Sequence, residues 1–305
     1  LLYGRRIMTK TAFVAIVGKP NVGKSSLLNK MLGQKIAIVS SKPQTTRTKI
    51  MGVLTKGETQ LVFTDTPGFH KPHNKLGEKM NEAVGDTVGG VDACLFLTEP
   101  RGELNEQELQ LLDMFKKQKM PVILAINKID MINDKEELLK RIVYLTSFYD
   151  FTAVVPVSAT QGDHVDELID ELDKLAFESP HFFPDDTLTD QPERVLAAEI
   201  IREKIFALTD QEVPHSVAVL IDEFKNPDEY PELKTARLRA TIIVERTGQK
   251  GILIGAKGQK LKEIGQAARL EMEERFGYPL FMELWVKVKP NWRKSQEELK
   301  RAGYL

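Results

Sequence analysis

The sequence predicts an α/β protein: a domain with a mostly parallel, doubly wound sheet, followed by a smaller α+β domain. Three observations predict it. Between residues 11 and 177, short apolar runs alternate with amphipathic stretches, the rhythm of strand–helix units around a parallel sheet. That rhythm stops at 178–192, where prolines and acidic residues cluster without a period. After 193 the order becomes helix, strand, strand, glycine loop with helices, strand, helix. The expected domains are therefore 11–177 and 193–305, the second with a C-terminal extension, joined by a linker at 178–192.

Taken in order, FVAIVG (13–18), QLVFTD (60–65), VDACLFL (91–97), PVILAIN (121–127) and AVVPVS (153–158) read as buried strands. SSLLNKML (25–32), LNEQELQLLDMFKK (104–117), KEELLKRIVYLTSF (135–148) and VDELIDELDKLA (165–176) carry apolar residues at helical spacing. MGVLTKGETQLVF (51–63) reads as two antiparallel strands around Lys56-Gly57. In the linker, Phe182 and Phe183 are candidates to pin the segment to a domain surface. Beyond it, ERVLAAEIIREKIFALT (193–209) is an amphipathic helix, and SVAVLIDEF (216–224) and LRATIIVER (238–246) are strands. QKLKEIGQAARLEMEERF (259–276) is a helix, LFMELWVKVK (280–289) a strand and SQEELKRA (295–302) a short helix.

The 305 residues carry a net charge of -1, so any nucleic-acid binding must come from a local basic patch. A single cysteine, Cys94, rules out an intramolecular disulfide framework and suits a reducing cytosol. No apolar run reaches the ~20 residues of a membrane span. The opening LLYGRRIM lacks the apolar core of a signal peptide, and Met8 is expected as the natural start.

Chemistry enters at GKPNVGKS (18–25), which satisfies G-x-x-x-x-G-K-[ST] between a strand and a helix. Gly18, Asn21, Val22, Gly23, Lys24, Ser25 and Ser26 are candidates to bind the nucleotide, the backbone N–H groups from Asn21 to Ser26 wrapping phosphates with the aid of the helix N-terminus. Lys24 can reach the β- and γ-phosphates, and the Ser25 hydroxyl can ligate Mg²⁺. FTDTPG (63–68) ends a strand with Asp65, placed to hold Mg²⁺ through water, and offers the Gly68 N–H to a γ-phosphate. NKID (127–130) ends another strand. A carboxylate there, Asp130, can accept both N1–H and the 2-amino group of guanine, neither of which adenine offers. Asn127 can bond the N7/O6 edge, Lys128 lies within the same loop, and SAT (158–160) brings Ser158 and the Ala159 N–H. Four elements in this order point to GTP and GDP.

These motifs, with QKIAIVSSKPQTTRTKI (34–50) and DTPGFHKPHNKLG (65–77), resemble the TrmE–Era–EngA group of translation-factor-class P-loop GTPases, and within it the bacterial Era family, from Thr11 onward. The resemblance implies a Ras-like P-loop GTPase domain that hydrolyses GTP with Mg²⁺. By that similarity Thr46 is the switch threonine that ligates Mg²⁺ and senses the γ-phosphate, with Thr45 the adjacent alternative; Lys24, Thr46, Gly68 and Asn21 form the catalytic set. Phe69 follows DTPG where Ras-like enzymes place a water-orienting glutamine. Slow intrinsic hydrolysis is expected, with the water held by backbone groups, another loop or a partner. Asn21 occupies the place at which several relatives use K⁺; it either supports K⁺-stimulated hydrolysis or only stabilises the loop turn. His70 and His73, separated by Pro72, read as surface residues of the switch loop.

The second glycine loop, GILIGAKGQK (251–260), lacks Gly-Lys-Ser and so is no second nucleotide loop. It does contain G-x-x-G, at Gly255-Ala256-Lys257-Gly258, between the apolar turn GILI and a helix. That is the loop with which KH domains clamp the backbone of single-stranded RNA, and the surrounding order of elements resembles a type II KH domain. The RNA candidates are Lys250, Ile254, Gly255, Ala256, Lys257, Gly258 and Lys260, with Arg246 and Lys262 in the same basic cluster. Ile252 and Leu253 join Ile254 as the expected floor and core of a base groove. Lys287, Lys289, Trp292 and Arg293 are second-rank candidates; Trp292 either stacks on a base or packs on the last helix. The resemblance implies that the RNA is the 3′ region of small-subunit ribosomal RNA, that the partner is the small ribosomal subunit during its assembly, and that the protein is a cytoplasmic monomer. Two alternatives stand beside it: a GTP-gated RNA-binding module whose turnover is incidental, and a cell-cycle switch peripheral to the cytoplasmic face of the inner membrane. No lipidation motif or basic amphipathic helix supports the latter.

Overall fold

The structure, a computed structural model, describes residues 8–39, 50–66, 87–209, 213 and 216–304. The chain forms two compact units, and the main division falls between Asp190 and Gln191.

The first unit is built on strands β1 (Lys10–Val17), β2 (Ile50–Lys56), β3 (Thr59–Asp65), β4 (Ala93–Thr98), β5 (Val122–Ile126), β6 (Ala153–Pro156) and the short β7 (Phe177–Glu178). Their order across the sheet is β2-β3-β1-β4-β5-β6. Only β2 runs antiparallel within that path, and β7 pairs antiparallel with the start of β1. Strands β3, β4 and β5 are buried at every position, as expected where helices cover both faces. Their side chains nevertheless alternate. Val14, Ile16, Leu95, Leu97 and Ile123 enter one core with Leu27, Leu28 and Met31 of α1 (Lys24–Leu32) and Leu168 and Leu172 of α4 (Val165–Asp173). Ala15, Val17, Cys94, Phe96 and Leu124 enter the other with Leu111 and Phe115 of α2 (Glu106–Gln118) and Leu145 of α3 (Lys135–Thr146). Burying a side chain such as Phe96 or Phe115 contributes roughly 1.5–3 kcal/mol. Cys94 is a core thiol, its pKa pushed up to about 12 by burial. Helix α2 starts on a reciprocal cap between Asn105 and Glu108.

The stretch expected as a linker is not a loose tether. Gln60, buried in β3, accepts the N–H groups of Phe182 (2.9 Å) and Phe183 (3.0 Å) and donates to the Phe183 carbonyl (2.9 Å). Phe182 lies edge-on to Phe13 at 5.2 Å. Val53 N donates to the Leu188 carbonyl (2.9 Å), and Thr189 Oγ1 to the Met51 carbonyl (2.6 Å). Residues as far as Thr189 are thus strapped onto the first unit.

The second unit contains α5 (Glu193–Leu208), β8 (Ala218–Lys225), β9 (Ala236–Val244), α6 (Thr247–Ile254), α7 (Gln259–Phe276), β10 (Leu280–Val288) and α8 (Gln296–Arg301). The sheet order is β10-β9-β8, with β9 parallel to β10 and antiparallel to β8. One face of the sheet packs on Ala197, Ile201 and Ile205 of α5, Leu253 of α6, and Ile264, Ala268 and Met272 of α7. Where the sequence suggested a helix-like turn at GILI, a full helix of eight residues, α6, is formed. Two of its eight residues, Gly248 and Gly251, are poor helix formers, which hid it.

Candidate functional site

Four loops converge at the carboxyl ends of β1, β3, β5 and β6, the edge at which open α/β sheets hold ligands. The first is the phosphate loop. Its path needs left-handed backbone at Asn21 (φ 64°) and Gly23 (φ 99°). A Cβ on Gly23 would sit 2.2 Å from Asn127 Nδ2, so only glycine fits. Lys24 opens α1 and turns its ammonium onto the carbonyls of Gly18 (3.1 Å) and Lys19 (3.0 Å). Burial pushes Lys24 down to about 8, against the opposing pull of Asp65 and Glu108. Ser25 Oγ donates to Asp65 Oδ2 at 2.6 Å, which brings the two candidate Mg²⁺ ligands together from α1 and β3. Thr66 Oγ1, donating to the Ile16 carbonyl (2.8 Å), fixes the end of β3 against β1.

The base-reading loops are tied to the first. Asn127 Nδ2 donates to the Val22 carbonyl (2.7 Å), and its Oδ1 accepts the Ala159 N–H (3.0 Å). Its amide therefore spans three loops, more than the base contact expected of it. Ser158 Oγ donates to Asp130 Oδ1 at 2.6 Å, which orients the carboxylate. Lys128, also left-handed (φ 65°), sends its ammonium to the Asn21 carbonyl (2.7 Å) and to Glu99 (2.5 Å). Glu99 also pairs with Lys19 at 3.0 Å. Burial works to raise the Glu99 carboxyl, but hydrogen bonds and charge from Lys128 and Lys19 hold it below its ordinary value. Arg141 supports this corner, with Nε on the Glu99 carbonyl (3.0 Å) and Nη1 on the Gly102 carbonyl. Sequence reading missed both Glu99 and Arg141, since neither falls in a motif. Thr45, Thr46, Gly68, Phe69, His70 and His73 lie outside the described residues. Among the described residues no cluster of three or more His, Cys, Asp or Glu side chains forms a metal site.

In the second unit, α6 ends at Ile254 and the chain enters G-x-x-G. Gly255 (φ 68°), Lys257 (φ 50°) and Gly258 (φ 79°) all take positive φ. This compact turn presents Ala256 and Lys257 to solvent and starts α7 at Gln259. Lys250, Ile254 and Lys260 are half-buried, and Lys260 is paired with Glu263 at 2.9 Å. Of the three apolar residues expected as floor and core of a base groove, Leu253 is buried in the core, Ile254 is half-buried and Ile252 is 51% exposed. A cavity of about 480 Å³ runs from Gly258 along α7 to β10, lined by Lys262, Gly265, Arg269, Met282 and Leu284 among others. Arg269 is held there by Glu273 at 3.0 Å, and the same carboxylate accepts the Leu280 N–H (2.9 Å) at the start of β10. An isolated glycine inside a helical pattern, Gly265, was the one available signal for it.

Three second-rank RNA candidates are engaged inside the fold. Trp292 is buried, donates Nε1–H to the Ser216 carbonyl (2.9 Å) and packs on Tyr304. Lys289 pairs with Glu298 at 2.5 Å and Arg293 with Glu245. Lys287 remains exposed.

A G-x-x-x-x-G-K-S loop between β1 and α1, an NKID loop after β5 and a G-x-x-G turn in an α-β-β-α-α-β unit together define a P-loop GTPase carrying a KH domain. The comparisons agree. The 50S ribosome-binding GTPase family matches residues 13–128 and the KH domain family matches 212–293. GTPase Era of Ruminiclostridium cellulolyticum is 47% identical over 295 residues, 97% of each chain. Crystal structures of an Aquifex aeolicus Era variant bound to GDP·AlF4⁻ (TM-score 0.91) and of Era with MgGDPNP and nucleotides 1506–1542 of 16S ribosomal RNA (TM-score 0.92) are each 42% identical, covering 97% of this chain and 99% of theirs. The chain belongs to the GTPase Era family and is a GTP hydrolase.

Proposed function

We propose that this GTPase binds the 3′ region of small-subunit ribosomal RNA through its KH unit, as a cytoplasmic monomer acting in assembly of the small ribosomal subunit. The observation that carries the reading is the full-length likeness to the Era structure that holds MgGDPNP and a 16S ribosomal RNA segment at once. GTP is read by Asp130, oriented by Ser158, with the second N–H of Asn127 Nδ2 left for the base beyond its bond to Val22. Asn21 to Ser26 supply backbone donors to the phosphates, and Lys24 supplies an ammonium already freed of bulk water. Ser25 and Asp65 fit Mg²⁺: two hard oxygen donors lie within 2.6 Å of each other. Such an ion neutralises charge on the phosphates, and Thr46 and Gly68 complete the set. Lys250, Ile254, Gly255, Ala256, Lys257, Gly258 and Lys260 form the RNA clamp, leading into the groove along α7.

The deciding experiment crosslinks the protein to a 16S 3′-end oligonucleotide, with and without a non-hydrolysable GTP analogue, beside Gly258→Asp. The variant is expected to lose RNA while keeping GTP turnover; retained crosslinking would defeat the clamp. Asn21 is the candidate K⁺ residue. GTPase rates that are equal in K⁺ and Na⁺ would remove that role.

A further inference from the structure

We propose that Glu99 is a positioning residue of the nucleotide site, a single carboxylate that ties the phosphate loop to the base-reading loop. It leaves the end of β4 between those two loops. Its Oε2 lies 3.0 Å from Lys19 Nζ, in the phosphate loop, and its Oε1 lies 2.5 Å from Lys128 Nζ, in NKID. Lys128 carries the link onward to the Asn21 carbonyl at 2.7 Å, and the Lys19 carbonyl accepts from Lys24 at 3.0 Å. Every residue in this chain belongs to a nucleotide loop except Glu99 itself.

Two further observations make Glu99 more than a surface ion pair. Its own backbone is fixed from behind by buried Arg141 and followed by buried Pro100, so the carboxylate is held rather than waving in solvent. Asn21 and Lys128 are non-glycine residues in left-handed backbone, a conformation that asparagine tolerates and that costs lysine more, so a fixed neighbour helps hold it. Two ammonium groups converging on one spot repel; a carboxylate between them reverses the sign of that interaction. Removing it would free the lysines to separate and let Asn21 and Lys128 relax. Phosphates and guanine are read by different loops, so Glu99 would make the two recognitions cooperative without touching the nucleotide.

The proposal rests on reading 18–26 and 127–130 as the nucleotide loops, and its test keeps the two apart. Glu99→Gln preserves shape and an acceptor while removing the charge. In the full chain it is expected to speed dissociation of a fluorescent GDP by about tenfold and to raise KM for GTP, while kcat changes by less than about threefold and the thermal midpoint stays put. The loss should be largest for GDP and small for guanosine or pyrophosphate alone as competitors, since each engages only one loop. Lys19→Met, which removes one of the two cations, should give a smaller loss, and the double variant should be no worse than Glu99→Gln. GDP dissociation within twofold of the parent, an equal loss for pyrophosphate alone, or strictly additive variants would overturn the clamp. Lys24→Ala runs beside these. Undiminished GDP binding there would overturn the nucleotide loops themselves, whereas binding lost there but unchanged in Glu99→Gln would overturn only Glu99.

Discussion

Single side chains set what this site can discriminate. On the proposed reading Asp130, held in place by Ser158, accepts two guanine donors. Asp130→Asn replaces an acceptor pair with a mixed amide. It should weaken GTP by roughly 10–100-fold, as charged hydrogen bonds are worth about 1.5–3 kcal/mol, and should raise affinity for xanthine nucleotides, whose edge is complementary; competition binding measures both. Lys24 sets a pH dependence. Burial has lowered it to about 8 in the free protein, and a bound phosphate favours the ammonium, so binding takes up a proton at higher pH. GDP affinity should be flat below about pH 7 and fall by up to about tenfold per unit above pH 8. Calorimetric titrations from pH 6.5 to 9.5 that show no fall would exclude this role for the lysine.

Among the elements, α7 carries a trade between helix strength and groove depth. Gly265 sits in the interior of the helix, where glycine is unfavourable by about 0.8–1.0 kcal/mol against alanine. A Cβ there would meet Leu284 Cδ1 at 3.5 Å and Met282 Cε at 3.8 Å, ordinary contact without a clash. Gly265→Ala should therefore raise the melting temperature by a few degrees and reduce RNA affinity by filling the cavity floor. A variant both stabler and unimpaired would show that RNA lies elsewhere. What sequence could reveal follows from the same distinction between contiguous and assembled features. GKPNVGKS, DTPG, NKID and SAT are each contiguous, so their chemistry could be read from neighbouring letters. The order of buried strands was equally legible, because a parallel strand covered on both faces is written as an unbroken apolar run. Glu99 could not be read, since its partners Lys19 and Lys128 lie far along the chain and meet only once the sheet forms. Which residue of GILI faces the core could not be told from four neighbouring apolar letters; the helical turn of α6 sends Leu253 inward and leaves Ile252 exposed. A two-residue strand such as β7 has no period to detect.

At the scale of the whole molecule, two sites sit on two separately packed units, each with its own core. The connecting segment belongs energetically to the first. Gln60 supplies three hydrogen bonds to it from a buried position. Gln60→Ala would leave two backbone N–H groups without their acceptor, at a cost of roughly 1–3 kcal/mol. Limited proteolysis should then cut between 178 and 190 much faster than in the parent; unchanged cutting would show that the strap holds by other contacts. Among the described residues strand β2 ends the row of strands on that side, and an outermost strand offers unpaired backbone to any passing extended chain. Leu188 and Thr189 occupy its outward groups at Val53 and Met51. The tether thus doubles as a guard against aggregation, and severing it would create a self-adhesive GTPase fragment as well as a detached RNA-binding one.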